Sequence, residues 1–215
     1  MLIIGAKGFA KEVLEIFQQT NNLQNLAFYD DVNTDIGDLL FDRFPILKDE
    51  NSAKLFFEKG NNEFTIGIGN PVLRKKLYEK FTQLGGKLIS TISPLATIGS
   101  FDVQIGEGSN VLSNATFSNS SKIGMGTIVY YNVVITHDCV VGDFVELSPN
   151  VLLLGHAEVG SFSKIGAGAI ILPKVKIGKN VTIGAGTVVT ENIPDNAVVV
   201  GVPGKIIKYS DELNF

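Results

Sequence analysis

The sequence predicts two units in series, an α/β domain over residues 1–90 and an all-β solenoid of parallel strands, a β-helix, over residues 91–215. A six-residue period predicts the β-helix, because every sixth residue from Ile105 to Val189 is a branched aliphatic or Phe. One short strand cannot bury its apolar face alone, so successive coils must stack around a shared core. Glycine recurs every eighteen residues, which indicates three hexapeptides per coil: Gly106, Gly124, Gly142, Gly160 and Gly178.

The α/β domain is predicted because residues 1–90 lack this period and show strand and helix patterns instead. Residues 1–5 form a short apolar run typical of a strand, and the apolar residues that follow have the spacing of one buried helix face: Ala10, Val13, Leu14 and Phe17. The glycine turn GAKGFA joins the two, and such a turn exposes backbone N–H groups that suit a phosphate. Alone it is a weak signal, since Lys7 and Ala10 replace two glycines of the dinucleotide fingerprint.

Two later strands are expected to end beside this turn. Residues 26–29 lead into the acidic pair Asp30-Asp31, and residues 64–68 lead into Gly69-Asn70. The carboxyl ends of strands in an open parallel sheet lie at the edge where ligands bind. The alternative for the acidic pair is the cap of an ordinary turn. The helix expected over residues 72–84 carries cations that we interpret as a solvated face: Arg74, Lys75 and Lys76.

Composition argues against several partners and locations. A net charge of −4 and a pI near 5.2 provide no basic field for nucleic acid. No apolar run approaches the roughly 20 residues of a membrane span, and the N-terminal apolar run is too short for a signal sequence. We therefore expect a cytoplasmic protein. The single cysteine, Cys139, excludes an intrachain disulfide, and its place among small inward residues favours a packing role.

Together these motifs resemble the hexapeptide-repeat acyltransferases, and specifically the bacterial nucleotide-amino-sugar N-acetyltransferases with the related sialic acid O-acetyltransferases. The resemblance covers essentially the whole chain. It implies a Rossmann-like N-terminal α/β domain followed by an all-β left-handed parallel β-helix, which forms a homotrimer and binds acetyl-CoA between neighbouring subunits. No metal is expected. The residues implied in binding the nucleotide sugar are Gly5, Lys7, Gly8, Phe9, Asp30, Asp31, Gly69 and Asn70.

One of the two histidines is the candidate general base. His137 lies two residues after the inward Ile135, so the period places it on the outside, near a corner. An exposed imidazole with a neighbouring carboxylate, here Asp138, can take a proton from an attacking amine or hydroxyl because its pKa is ordinarily near neutral. In the resembling family, the histidine of this His-Asp-Cys-Val motif is the general base.

Other residues are implied at the acetyl-CoA site. Ala167 and Ala185 are eighteen residues apart and share a column, where small side chains leave a groove open for the pantetheine arm. Gly155 lies one coil beyond the base, and its neighbour His156 is expected to contact acetyl-CoA or the sugar. The alternative for His156 is an ordinary exposed corner. Lys205, in the terminal sequence VPGK, is expected to pair with a CoA phosphate, and the alternative is an ordinary solvated lysine.

The sequence departs from the family pattern at two positions. Glu146 stands nine residues after the base, where members often carry a second histidine near the thioester. An ionised Glu146 would be a poor donor to a thioester carbonyl, so we expect it at the cofactor site with backbone N–H groups positioning the acetyl group. Tyr130 stands seven residues before the base, where members often have Asn. Tyr130 and Tyr131 are expected to stack on the sugar or hydrogen-bond to it.

Together with these features, the resemblance implies an acetyl-CoA-dependent N-acetyltransferase that acts on the amine of a nucleotide-linked amino sugar, in surface glycan biosynthesis. His137 acts as the general base, without a covalent acyl-enzyme. One alternative is an O-acetyltransferase of a sugar such as sialic acid, and another is a non-catalytic scaffold that binds nucleotide sugars. The sequence has no motif that identifies the nucleotide base or the sugar's stereochemistry.

Overall fold

The computed structural model describes residues 1–60 and 62–214, and these form the two predicted units. Residues 1–90 build a six-stranded sheet of order β3-β4-β2-β1-β5-β6, in which every pair is parallel except β3 with β4. In chain order, the elements are β1 (Leu2–Ile4), α1 (Gly8–Gln19), β2 (Ala27–Tyr29), β3 (Leu39–Leu40), β4 (Phe44–Leu47), α2 (Glu50–Glu58), β5 (Glu63–Ile66), α3 (Pro71–Gln83) and β6 (Lys87–Leu88).

The strands and helices predicted for this domain are present, with small shifts at their ends. Helix α1 begins at Gly8, within the glycine turn, and buries its apolar stripe. Helix α3 begins at Pro71, and the Oδ1 atom of Asn70 caps it by accepting a hydrogen bond from the Leu73 N–H at 3.0 Å. The short apolar stretches of β3, β4 and α2 show no clear period and are not predicted. No helix among the described residues is long and apolar enough to span a bilayer.

The pairing of short parallel strands confirms the β-helix. Between residues 91 and 171, each strand pairs with the third strand after it, typically eighteen residues later, as Ile123 does with Val141. The strands are β7 (Thr91–Ile92), β8 (Thr97–Ile98), β9 (Gln104–Ile105), β10 (Asn110–Val111), β11 (Thr116–Phe117), β12 (Lys122–Ile123), β13 (Ile128–Val129), β14 (Val134–Ile135), β15 (Val140–Val141), β16 (Glu146–Leu147), β17 (Leu152–Leu153), β18 (Glu158–Val159), β19 (Lys164–Ile165), β20 (Ile170–Ile171), β21 (Lys176–Ile177), β22 (Thr182–Ile183), β23 (Val188–Val189), β24 (Ala197–Val200) and β25 (Lys205–Tyr209).

The coils stack into a prism with three faces, each a sheet. Face 1 contains β7, β10, β13, β16, β19, β22 and β24, with β25 added antiparallel at its end. Face 2 contains β8, β11, β14, β17, β20 and β23, and face 3 contains β9, β12, β15, β18 and β21. In the middle coils, the second residue of each strand is buried inside the prism while the first faces outward.

Aliphatic side chains in vertical columns fill the interior of the prism. Val129, Ile135 and Leu153 are fully buried there. Cys139 lies in the same core, with its Sγ atom 3.5 Å from the carbonyl oxygen of Leu154. Burial raises the pKa of the Cys139 thiol, which disfavours the reactive thiolate. These observations support the packing interpretation of this cysteine.

The N-terminal domain packs on face 1 of the prism through both apolar and polar contacts. Leu112 and Ile128 join the core that surrounds α1. The side-chain oxygen of buried Asn110 accepts hydrogen bonds from the hydroxyls of Thr65, at 2.9 Å, and Thr91, at 2.6 Å. Its amide nitrogen donates to the Ile66 carbonyl at 2.9 Å. Because every polar atom of this buried side chain has a partner, Asn110 fixes how the two domains meet.

Arg74 corrects the interpretation of its helix as a solvated cationic face. Its side chain is 1 % exposed and lies between α3 and the prism. The guanidinium donates to the carbonyl oxygens of Gly126, Phe144 and Val145, at 3.0, 2.6 and 3.0 Å, and also to that of Gly69. Burial lowers the pKa of Arg74 to about 10, so the group stays charged at neutral pH. The cation therefore joins the two domains by binding main-chain oxygens.

Candidate active site

His137 and Asp138 lie at the corner where face 2 turns into face 3, between β14 and β15. The His137 Nδ1 atom is 2.8 Å from Asp138 Oδ2, and the two side chains are 61 % and 43 % exposed. Asp138 adopts a left-handed backbone with φ of 61°, a conformation that Asp tolerates well. With a proton on Nδ1, the ring donates to the carboxylate and leaves Nε2 free to accept a proton from solvent or substrate.

Gly155 provides the surface on which the His137 ring rests. A Cβ atom at Gly155 would lie 2.6 Å from Cε1 and 2.7 Å from Nε2 of His137. Real side chains do not approach this closely, so the ring position requires a residue without a side chain. The sequence predicts that Gly155 lies at the acetyl-CoA site, but it does not predict this contact with His137. The signal that could have suggested the contact is the eighteen-residue offset between the two residues, which places them at equivalent positions of successive coils.

His156 lies beside the candidate base. Its ring is edge-on to that of His137, with centroids 5.4 Å apart, and its Nε2 atom is 3.7 Å from Asp138 Oδ2. Its backbone N–H donates to the His137 carbonyl at 3.1 Å. The residue is exposed, as expected of a corner, but both histidines approach the same carboxylate.

The N-terminal domain contains a separate cavity of about 180 Å³ at the carboxyl ends of β1, β2 and β5. This is the sheet edge at which the sequence predicts the nucleotide. Most of its surface is apolar, and one end carries the acidic pair. The residues that line it are Ile4, Gly5, Tyr29, Asp30, Asp31, Val32, Asn33, Ile68, Leu73 and Leu77.

The two acidic residues at this cavity differ in their surroundings. Asp30 is 6 % exposed, and its carboxylate accepts hydrogen bonds from the backbone N–H of Ala6, at 3.3 Å, and of Asn33, at 2.9 Å. It therefore joins the glycine turn to the loop after β2. Asp31 is more exposed and accepts from the Tyr29 hydroxyl at 2.8 Å and from Lys80 at 3.3 Å. Burial acts against its ionisation, yet these hydrogen bonds prevail and lower the pKa of Asp31.

The sequence does not identify Tyr29, which lines the cavity, or Lys80, which contacts Asp31 beside it. Lys80 contacts both Asp31 and, at 3.0 Å, Glu50 of α2, while Tyr29 closes the end of β2. Lys80 belongs to the same helix as Arg74, and nothing in the spacing of the cations distinguishes the two. Only the packing of α3 against the sheet brings Lys80 to the acidic residue.

The remaining residues of the glycine turn have distinct contacts. Gly5 has φ of 102°, and a Cβ there would lie 2.7 Å from the Ile68 side chain, so packing requires this glycine. Gly8 faces open space, which leaves the start of α1 accessible to a ligand. Lys7 forms an exposed ion pair with Asp35 at 2.7 Å.

Phe9, Tyr130 and Glu146 all lie at the junction between the domains. The rings of Phe9 and Tyr130 are 5.1 Å apart, and burial raises the pKa of the Tyr130 hydroxyl. Glu146 points outward from face 1, and a Cβ placed on Gly69 would lie 3.7 Å from its Oε2 atom. Burial raises the pKa of Glu146, against the opposing charges of Arg74 and Lys164. Glu146 thus lies with the predicted sugar-binding residues, on a different part of the prism from His137.

The predicted acetyl-CoA column lies on the corner between face 1 and face 2. Ala167 and Ala185 are exposed there, one coil apart, with the Ala167 carbonyl accepting from the Gly186 N–H at 2.8 Å. Tyr131 is in the same column two coils earlier, and burial raises its pKa. Lys205 begins β25 and is exposed beside Val200. Face 2 therefore separates this column from the corner of His137.

Two protein families match parts of the chain. Residues 1–81 match the PglD N-terminal domain, and residues 156–191 match the bacterial transferase hexapeptide (six repeats). No curated protein sequence gives a significant match.

Several solved structures resemble the whole chain. A mutant of GDP-perosamine N-acetyltransferase from Caulobacter crescentus, in complex with CoA and GDP-perosamine, is 31% identical over 96% of both chains, with a TM-score of 0.89. The acetyltransferase domain of PglB from Neisseria gonorrhoeae, in complex with acetyl coenzyme A, is 31% identical over 96% of this chain and 98% of that one, with a TM-score of 0.84. WeeI from Acinetobacter baumannii has the same identity and coverage and a TM-score of 0.85.

Proposed function

Because the chain belongs to the hexapeptide-repeat N-acetyltransferases of nucleotide-linked amino sugars, we propose that it transfers acetyl from acetyl-CoA to the amine of such a sugar. It is an acyltransferase with a Rossmann-like N-terminal domain and a left-handed parallel β-helix. The observation that carries the proposal is the exposed His137 held by Asp138 at 2.8 Å. We assign the reaction to surface glycan biosynthesis in the cytoplasm, where acetyl-CoA and nucleotide sugars are made.

The proposed mechanism needs one proton acceptor. The neutral amine attacks the thioester carbonyl, and Nε2 of His137 takes the proton that the nitrogen loses. The new C–N bond forms as the C–S bond breaks, and His137 can return the proton to the departing CoA sulfur. Asp138 keeps the proton on Nδ1 and stabilises the imidazolium that forms, so His137 is the catalytic base and Asp138 orients it.

The acetyl-CoA site is proposed along the corner of Ala167 and Ala185. Both side chains are small and exposed, so an extended pantetheine arm can approach the backbone there. Lys205 lies near the end of the prism, where an exposed ammonium suits a CoA phosphate. Gly155 and His156 border the reacting end of the cofactor through their contacts with His137.

The nucleotide sugar is proposed to bind from the N-terminal cavity towards the junction. Gly8 lies open at the start of α1, where backbone N–H groups and the positive helix end suit a diphosphate. The apolar cavity suits the planar face of a base, and Asp31 offers its edge a carboxylate acceptor. Asp30 supports the loop that carries Asp31. Tyr130 and Glu146 border the sugar, since both lie where the domains meet.

We infer that neighbouring subunits complete the site as a trimer. Among the residues that the structure describes, those that line the N-terminal cavity all precede the β-helix, and face 2 separates His137 from the acetyl-CoA column. Face 2 also carries an outward apolar stripe, whereas the outward residues of face 3 are mostly charged or polar and include the Lys176–Glu158 ion pair. A partly exposed apolar stripe marks an interface. Its members are Val134, Leu152, Ile170 and Val188.

A pair of matched substitutions tests this interface. Ile170→Glu places a charge in the stripe on face 2, and Val140→Glu places the same charge on the exposed face 3. Light scattering should give about three times the 23.1 kDa chain mass for the native protein and for Val140→Glu, and a lower mass for Ile170→Glu. A native protein that is monomeric and fully active would contradict the shared site.

The transfer itself is tested by assaying CoA release with UDP-, dTDP- and GDP-linked amino sugars. Each amino sugar is paired with the analogue that carries a hydroxyl in place of the amine. We expect acetylation of at least one amino sugar, detected by mass spectrometry, and none of its hydroxyl partner. Acetylation of hydroxyl analogues alone would replace the proposal with O-acetylation, and nucleotide-sugar binding without any transfer would favour a scaffold.

A further inference from the structure

Two imidazoles and one carboxylate converge at the corner between face 2 and face 3. One nitrogen each of His137 and His156 and one oxygen of Asp138 all lie within 4.8 Å of one another. Asp138 Oδ2 is 2.8 Å from His137 Nδ1 and 3.7 Å from His156 Nε2. All three side chains are exposed, so an ion in solution can reach them.

Two of the three spacings are close to those around a single transition-metal ion. Zn²⁺ binds imidazole nitrogen and carboxylate oxygen at about 2.0–2.2 Å, so two ligand atoms of a tetrahedral ion lie about 3.3 Å apart. The distances from Asp138 to the two histidines, 2.8 and 3.7 Å, lie on either side of that value. Two nitrogen donors favour Zn²⁺, Cu²⁺, Ni²⁺ or Co²⁺ over Mg²⁺ and Ca²⁺, which prefer oxygen.

The backbone holds the three residues in a fixed arrangement. The His156 N–H donates to the His137 carbonyl at 3.1 Å, and the Asp138 N–H donates to that of Asn119 at 3.3 Å. Asp138 and His156 occupy equivalent corners of successive coils, with φ of 61° and 60°. Only side-chain torsions therefore need to change for the three groups to close around an ion.

We propose that His137, Asp138 and His156 form a binding site for a divalent transition metal such as Zn²⁺, and that the bound metal inhibits acetyl transfer. The inhibitory part rests on the proposed function. A metal on Nδ1 of His137 uses that lone pair, and the ring proton then resides on Nε2, the atom that must accept the proton of the amine. The metal also withdraws Asp138 from His137. Metal binding is reversible, because no covalent bond of the protein changes.

Binding is tested with Co²⁺, whose visible absorption reports nitrogen and oxygen ligation directly. Chelator-treated native protein should bind one Co²⁺ per chain, and Zn²⁺ should displace it. His156→Asn should bind Co²⁺ at least about tenfold more weakly, and so should Asp138→Asn. Asn is chosen because it tolerates the left-handed backbone of these corners. Lys174→Asn is the control, since Lys174 has φ of 66° at the same corner one coil further.

Circular dichroism and light scattering establish that each variant keeps its fold and assembly. Equal Co²⁺ affinity in the native protein and both ligand variants would overturn the site, as would an equal loss in Lys174→Asn. Zn²⁺ should also suppress the acetylated sugar product, measured by mass spectrometry because free CoA thiol itself binds Zn²⁺, and a chelator should restore it. If Co²⁺ binds as expected but no amino sugar is ever acetylated, the proposed function fails and the metal site stands.

Discussion

The β-helix builds its core from a periodic repeat, whereas the N-terminal domain builds its core from elements that are distant in sequence. This difference explains which functional residues can be located from their spacing in the sequence. In the β-helix, Val129 and Leu147 occupy the same position in successive coils. The place of a residue in the repeat therefore predicts whether its side chain points into the prism or out of it. In the N-terminal domain, residues from distant elements meet in an aromatic cluster: Tyr29 and Phe81, for example, have ring centroids 4.8 Å apart. Periodicity therefore locates His137 on a corner, whereas the cavity beside Asp31 exists only once separate loops have come together.

The largest effect is expected from His137→Ala, which separates chemistry on the β-helix from binding on the N-terminal domain. General-base catalysis typically contributes about 10²–10⁴-fold, so kcat should fall by that factor. The assembly and the affinity for nucleotide sugar should remain, because the side chain is exposed and distant from the cavity. Steady-state kinetics with light scattering measure both. Near-normal turnover at neutral pH would remove His137 from the mechanism.

Arg74→Met tests the contact that joins the two regions. The substitution keeps much of the side-chain volume but removes the side-chain donor from four carbonyl oxygens, of which that of Val145 still accepts from the Ile128 N–H at 2.9 Å. Unpaired buried acceptors of this kind should lower the free energy of unfolding by about 3 kcal/mol. Denaturant unfolding measures it, with Lys76→Met on the same helix as the control. Equal stability of the two variants would show that the cation does not join the domains.

Gly155→Ala tests whether the position of the His137 ring, which rests against Gly155, matters for the reaction. The new methyl group would meet the His137 ring rather than backbone, so the ring moves and the fold persists. A displacement of about 1 Å can cost up to about 10²-fold in rate, and we expect a loss between 10- and 100-fold. Gly142→Ala is the contrasting variant, because its Cβ would lie 2.6 Å from the Ser161 backbone nitrogen and should reduce stability instead. An unchanged rate in Gly155→Ala would show that catalysis does not depend on the contact between the His137 ring and Gly155.

The smallest effect is expected from Asp31→Asn, which acts only on the N-terminal domain. Loss of one charged acceptor at the cavity should raise KM for the nucleotide sugar roughly fivefold, and leave kcat and the KM for acetyl-CoA nearly unchanged. Initial rates with each substrate varied in turn measure this. The result predicted for Asp30→Asn differs, since Asp30 is buried and supports two loops: it should lower the melting temperature as well. An unchanged KM for the nucleotide sugar in Asp31→Asn would show that Asp31 does not bind this substrate and only caps a turn.

Much of the candidate site was predictable from the sequence because its chemistry lies on a periodic scaffold. The outward position of His137 follows from its offset from Ile135, and the shared column of Ala167 and Ala185 follows from their eighteen-residue separation. The sheet edge with Gly5 and Asp31 follows from the rule that the ends of parallel strands meet. Each of these inferences uses only local spacing and one repeated geometry.

The sequence by itself determined the β-helix, its three strands per coil and the outward corner of the base, since a repeat of short strands has only one way to bury its apolar residues. Only the tertiary structure decided that Arg74 is buried between the domains, that Asp30 supports its loop while Asp31 remains accessible, and that both histidines approach Asp138. The physical reason is the large sequence separation between the interacting groups. These groups satisfy their charges and hydrogen bonds with partners from other elements or coils, and no local pattern encodes which distant oxygen or nitrogen will be there.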